Sequence, residues 1–164
     1  MTHTSLGKEP TLQPMPDQEA DLRPGDHGAR VIDRGAFKMI LELEVKKAQR
    51  LRYFVSVVCL RVEPSETGAE RVTRVLARNI RETDCVTPTD DRSLLMLLVD
   101  AEPDNLPVIV ERVMGALDVR AWSAGGASYP NTALTTDALL TQAVELQTRA
   151  EKHGGDRIYV ATGA

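Results

Sequence analysis

Apolar positions recur at helical spacing from Asp33 onward. Phe37, Ile40, Leu41, Val45 and Ala48 fall on one face with charges between them, and Asp33 is placed to cap that helix. The run from Phe54 to Val62 is rich in β-branched residues and predicts a buried strand, which Pro64, Ser65 and Gly68 then interrupt. Val72, Val75, Leu76 and Ile80 predict a second helix. Asp84 to Asp100 predicts a hairpin, with Cys85 and Val86 entering, Pro88 to Arg92 turning and Leu94 to Val99 returning. A third helix is expected from about Asp104 to Leu117, and a strand over Val119 to Ala127 that ends in Gly125 and Gly126. A last helix should follow Thr135 or Thr136, bury Leu139, Ala143, Leu146 and Ala150, and stop at Gly154 and Gly155. Arg157 to Ala161 closes the chain as a short strand. This alternation predicts one α/β (α+β) domain over residues 26–161, with a central mixed sheet of about five strands flanked by helices. Residues 1–25 carry Pro10, Pro14, Pro16 and Pro24 among polar residues and no apolar period, so they read as a flexible linker.

Composition narrows the class. With 164 residues there is room for one domain and a tail, and 42% apolar and 27% charged residues exclude wholesale disorder. A net charge of −4 and only 4% aromatic residues argue against a nucleic-acid partner. The apolar runs are too short for membrane insertion, and the N-terminus lacks the basic and apolar regions of a secretory signal. Two cysteines, Cys59 and Cys85, lie in strand-like segments, which fits buried thiols and a cytoplasmic location.

Chemistry is sparse. No phosphate-binding loop, nucleophile elbow or zinc-protease motif occurs, and no Cys/His cluster has metal spacing, so no cofactor or metal is expected. His3, His27 and His153 fall in the tail, a loop and a helix end, where solvated histidines are common. Asp90 and Asp91 suit a turn. Gly125 and Gly126 allow either a bulge or close approach to a ligand. Arg81 and Asp84, three apart at a helix end, form either a surface ion pair or a fork for a phosphate or a guanine edge.

Several short stretches, in this order, resemble one family. Asp26-His-Gly-Ala-Arg-Val-Ile-Asp-Arg-Gly-Ala-Phe37 is similar to D-x-L-T-G-L-x-N-R-R-x-F, with Asp26, Arg34 and Phe37 identical. Arg81-Glu-Thr-Asp84 is similar to R-x-x-D, Ser123-Ala-Gly-Gly-Ala127 to S-I-G-V-A, and Ala150 to Arg157 to A-K-x-x-G-x-N-R. Val55 to Glu63 and Leu94 to Leu98 resemble the flanking strands. The chain thus resembles the GGDEF domain of bacterial diguanylate cyclases. The signature falls on Asp90, Asp91, Arg92, Ser93 and Leu94, so both glycines become aspartate and the acidic pair becomes Arg92 and Ser93. The family's metal aspartate on the first strand falls on Arg61, and its late lysine on Glu151. Its second helix is missing, since only Pro64 to Thr67 bridges the strand to Gly68.

These departures imply a degenerate domain with no catalytic residues and no diguanylate cyclase activity, because cations at carboxylate positions repel the divalent ions such chemistry uses. The resemblance also implies an inhibitory-type site for cyclic di-GMP. Arg81 and Asp84 stand at the family's distance before the signature, Arg112 falls at the matching place on the next helix, and Arg78 adds positive potential. The expected function is a cyclic di-GMP receptor in bacterial signal transduction. The alternative is a ligand-free module for a protein partner or homodimer, using the first helix with Lys38, Glu42, Glu44, Lys46, Lys47 and Arg50. A third reading, another nucleotide-processing enzyme, rests on Glu63 with Asp90 and Asp91.

Overall fold

The computed structural model describes residues 28–64, 69–117 and 119–163. The expected linker 1–25, with His3, lies outside them, as do His27 and the bridge 65–68, where the family's second helix is expected to be missing. The elements are β1 (Arg30–Val31), α1 (Arg34–Leu51), β2 (Val55–Pro64), α2 (Ala69–Arg78), β3 (Cys85–Pro88), β4 (Ser93–Val99), α3 (Leu106–Gly115), β5 (Val119–Tyr129), α4 (Thr136–Lys152) and β6 (Arg157–Val160). A short 3-10 turn, Pro103–Asn105, leads into α3, so the predicted third helix starts two residues late and loses its end.

The strands form one mixed sheet in the order β1-β3-β4-β2-β5-β6. The inner pairs are antiparallel, while β1 joins β3 and β6 joins β5 in parallel. That is one strand more than expected. The sixth, β1, is two residues long and has no alternation of its own. It exists because Ile32 N–H donates to Val86 O (2.9 Å) and Ala29 N–H to Ala77 O (2.7 Å).

The two-residue period of a strand splits β2 between two cores. Val58, Leu60 and Val62 pack with Leu76 of α2 and Val110 of α3, whereas Val55, Val57 and Cys59 pack with Phe37 and Leu41 of α1 and Leu139 of α4. Two helices therefore cover each face. The same alternation puts Arg61 on the α1/α4 face, at the end of the strand where α4 finishes.

Local signals behave as read. Asp33 Oδ1 accepts from Ala36 N–H (2.8 Å) and Thr135 Oγ1 from Ala138 N–H (3.1 Å), closing the first turns of α1 and α4. Gly154 and Gly155 end α4 with φ of 111° and 72°. Two predicted positions change. Ile80 lies past the end of α2 but is still buried. On α4 Leu139, Ala143 and Ala150 are buried as expected, but the fourth buried residue is Gln147 rather than Leu146, and its Nε2 donates to Ser123 Oγ (2.9 Å), which offsets the cost of burying the amide.

Candidate functional site

The signature segment forms the tip of the β3–β4 hairpin. Asp90 Oδ1 accepts from both Arg92 N–H and Ser93 N–H, each at 2.8 Å, so the carboxylate closes its own turn. These backbone bonds, with help from Arg61, hold the Asp90 carboxyl below the ordinary carboxylate range. Beside the tip lies an open cleft of about 230 Å³, lined among others by Arg61, Glu63, Arg92, Trp122, Glu151 and Gly155. Arg61 is pinned across it: Nε lies 3.0 Å from Glu151 Oε2, and Nη1 donates to Ser93 Oγ (3.3 Å). Sequence reasoning noted both charge reversals but missed that they meet. The signal was available in strand alternation, which sends position 61 to the α4 face.

This cleft does not fit a divalent cation. Arg61 and Arg92 bring two guanidinium groups to it, Glu151 is engaged by Arg61, and Oδ1 of Asp90 at the neighbouring tip is bound to two amides. Among the described residues no three His, Cys, Asp or Glu side chains converge as a metal site. Glu63, Asp90 and Asp91 are therefore not assembled into the constellation that the third reading needed. The freedom of Gly125 also has a different use from either one expected. A Cβ there would run into Ala143 O and Gln147 N of α4, so the glycine lets the helix backbone rest on β5. His153 is exposed, with Nδ1 2.7 Å from Tyr159 Oη.

The second cluster lies where α2 ends. Asn79 Nδ2 donates to Val75 O (2.7 Å) and closes the last turn of α2. Arg112 on α3 reaches across, with Nη2 donating to Asn79 O (3.3 Å). Arg112 thus sits one residue from Arg78 and two from Arg81 along that strip of backbone, and all three are exposed. Arg81 Nη2 donates to Val99 O (2.9 Å), and its side chain remains 60% exposed.

Asp84 behaves differently from its partners. It is 2% exposed; Oδ2 accepts from Arg81 N–H (3.0 Å) and Oδ1 from Val99 N–H (2.9 Å). Burial raises its pKa, and the two amides and the Arg81 charge act in the opposite sense. The resemblance implied that this carboxylate faces a guanine edge. Here it faces inward and ties the end of α2 to the end of β4, which fixes the backbone that carries Arg81.

Cys59 and Cys85 are free and buried, and burial pushes their thiols up to about 12 and about 11. No helix among the described residues is long and apolar enough to cross a membrane.

No family model and no curated protein matches the chain. Solved structures do. The GGDEF domain of YfiN (TpbB) from Pseudomonas aeruginosa superposes with a TM-score of 0.70 at 17% identity, covering 81% of this chain and 98% of that one. The active GGEEF domain of a diguanylate cyclase from Vibrio cholerae gives 0.67 at 10% identity, covering 80% and 98%. The GGDEF domain of DgcB from Caulobacter crescentus, in complex with c-di-GMP, gives 0.63 at 12% identity, covering 79% and 91%. Six strands in this order, with paired helices on each face, are accordingly the fold of a GGDEF domain.

Proposed function

We propose that this domain is a cyclic di-GMP receptor without cyclase activity, in a cytoplasmic setting that the two free, buried thiols suit. The observation that carries the reading is that Arg112 of α3 reaches the backbone at the end of α2, where Arg78 and Arg81 are exposed close by in sequence. Guanidinium forks match phosphate oxygens and the N7/O6 edge of guanine, and the dinucleotide offers two of each. Asp84 is the positioning residue, accepting hydrogen bonds from the Arg81 and Val99 backbone amides and so tying the Arg81 backbone to the end of β4. Loss of catalysis is supported by the Arg61–Glu151 pair and by Arg92, which present cations where cyclase chemistry uses metal-bound carboxylates.

Titration calorimetry of the full chain with cyclic di-GMP tests the reading, with GTP and magnesium or manganese assayed in parallel. Binding should weaken by about 1.5–3 kcal/mol in Arg81→Ala, roughly 10- to 150-fold. No heat in the wild type, or unchanged affinity in Arg81→Ala, would overturn the site. Cyclic di-GMP formed from GTP would overturn the loss of catalysis.

A second reading, an interaction module, is favoured by α1. Met39 and Leu43, about one turn apart on its outer side, are 72% and 55% exposed. Light scattering decides it: a monomer at all concentrations argues against self-association.

A further inference from the structure

β1 is a weakly held element joined to a firmly built one. Arg30 and Val31 are both exposed, and only the flanking Ala29 and Ile32 are half-buried. Backbone hydrogen bonds do most of the holding. Ala29 N–H donates to Ala77 O (2.7 Å), Arg30 N–H to Asp84 O (3.4 Å) and Ile32 N–H to Val86 O (2.9 Å). All three acceptors lie within residues 77–86, the stretch that carries Arg78, Arg81 and Asp84. Elements with few buried contacts and exposed backbone bonds are the ones that open locally.

The same stretch closes α2. The last carbonyls of a helix need partners from outside its own ladder. Val75 O takes Asn79 Nδ2 (2.7 Å), Leu76 O takes Asn79 N–H (2.9 Å), and Ala77 O takes the Ala29 amide. Asn79 O in turn receives Arg112 Nη2 (3.3 Å). Gly28 permits the fit, since a Cβ there would stand 2.5 Å from Ala77 O and 2.6 Å from the Cα of Arg78. Asp84 works in both directions: its carboxylate holds the Arg81 amide, and its backbone oxygen receives the Arg30 amide. β1 and the arginine site therefore share one piece of backbone.

We propose that β1 and residues 77–86 open and close together, so that cyclic di-GMP held by Arg81 and Arg112 tightens β1, and a loosened β1 weakens the site. The effect of the ligand rests on the receptor reading above; the shared opening does not. The two states are β1 paired with β3 and β1 released. In the released state Ala77 O and Asp84 O lose their donors, and α2 loses part of its C-terminal closure. Arg81 and Arg112 then lose the fixed spacing that lets both grip one ligand without an ordering cost. The coupling acts by the same factor in both directions. Occupancy of the site is thereby reported at the sheet edge where the chain enters the domain.

Amide hydrogen exchange of the full chain, labelled with nitrogen-15 and read by NMR, tests this. Saturating cyclic di-GMP should slow exchange of the Ala29 and Ile32 amides about 5-fold or more, and leave those of Ala138 and Leu139 at the start of α4 unchanged. Gly28→Ala, which forces a methyl group against the end of α2, should weaken cyclic di-GMP binding by a comparable factor. Ile32→Pro, which deletes the bond to Val86 O instead of crowding Arg78, should do the same. Without ligand, Asn79→Ala removes the side-chain bond to Val75 O and should speed exchange at Ala29 and Ile32 about 2- to 10-fold. Binding that leaves exchange at Ala29 and Ile32 unchanged, or full affinity in both β1 variants, would overturn the coupling. Unmoved exchange in Asn79→Ala would overturn the shared opening whatever the ligand does. Faster exchange in Asn79→Ala with no cyclic di-GMP heat in the wild type would keep the shared opening and sink the receptor reading instead.

Discussion

Asp84→Asn separates the two jobs present in the Arg81–Asp84 pair. The native carboxylate uses one oxygen for the Arg81 amide and the other for the Val99 amide, on a residue 2% exposed. Asparagine keeps one acceptor and turns its NH2 group toward the other amide, which is left buried without a partner. Losing one hydrogen bond to a charged acceptor costs about 1.5–3 kcal/mol, partly offset because a buried charge disappears with it. The net loss should be about 2 kcal/mol, lowering the unfolding midpoint by roughly 6–10 °C for a domain of this size. Arg81→Ala removes an exposed side chain whose ion pair with Asp84 spans 4.0 Å, and should cost less than about 1 kcal/mol while weakening cyclic di-GMP binding. Thermal and urea unfolding, followed by circular dichroism at pH 7, measure both variants. The reasoning is refuted if Asp84→Asn lies within about 0.5 kcal/mol of wild type, or if Arg81→Ala costs as much. The pH dependence carries a second check. Because burial raises the Asp84 pKa in the folded state, the folded protein holds this proton more tightly than the unfolded chain. The contribution of Asp84 to stability is therefore fully present at acid pH and falls as pH rises through the raised value. Asp84→Asn should flatten that part of the curve.

Three further outcomes are expected. Gly125→Ala drives a methyl group into the α4 backbone and should cost about 3 kcal/mol or prevent folding, whereas Gly115→Ala, with open space around it, should be neutral or slightly stabilising; urea midpoints compare the two. Asp90 has a lowered folded pKa, so its contribution is present above the ordinary carboxylate range and lost as pH falls through the lowered value; Asp90→Asn should remove that acid-side loss in melts taken from pH 6 down to pH 2.5. Arg61→Asp should destabilise by about 0.5–1 kcal/mol by facing Glu151, and adding Glu151→Lys should restore most of the loss; no recovery in the double variant would refute a direct pairing.

Much of the architecture is written in local signals. Helical spacing around Phe37 and Leu41, the caps at Asp33 and Thr135 and the paired glycines after α4 each act within a few residues, so the sequence displays them directly. What it hid depends on partners far along the chain. Two residues make β1 a strand only because β3 and the end of α2 are there to receive them. Gln147 can be buried because Ser123, from another element, satisfies it. Arg78, Arg81 and Arg112 could be named from motif spacing, but the inward turn of Asp84 could not, since it depends on the amide of Val99 fifteen residues later.

The Arg61–Glu151 contact also constrains how these two positions can change over generations. Reversing the sign at either one alone, in either direction, sets like charges about 3 Å apart at the mouth of the cleft. A joint exchange of the two charges keeps the ion pair. The two sites should therefore substitute together in lineages that descend from this sequence. An acidic residue at position 61 would face Glu151 unless position 151 changed with it, so the pair stands against a single-step sign reversal at the mouth of the cleft.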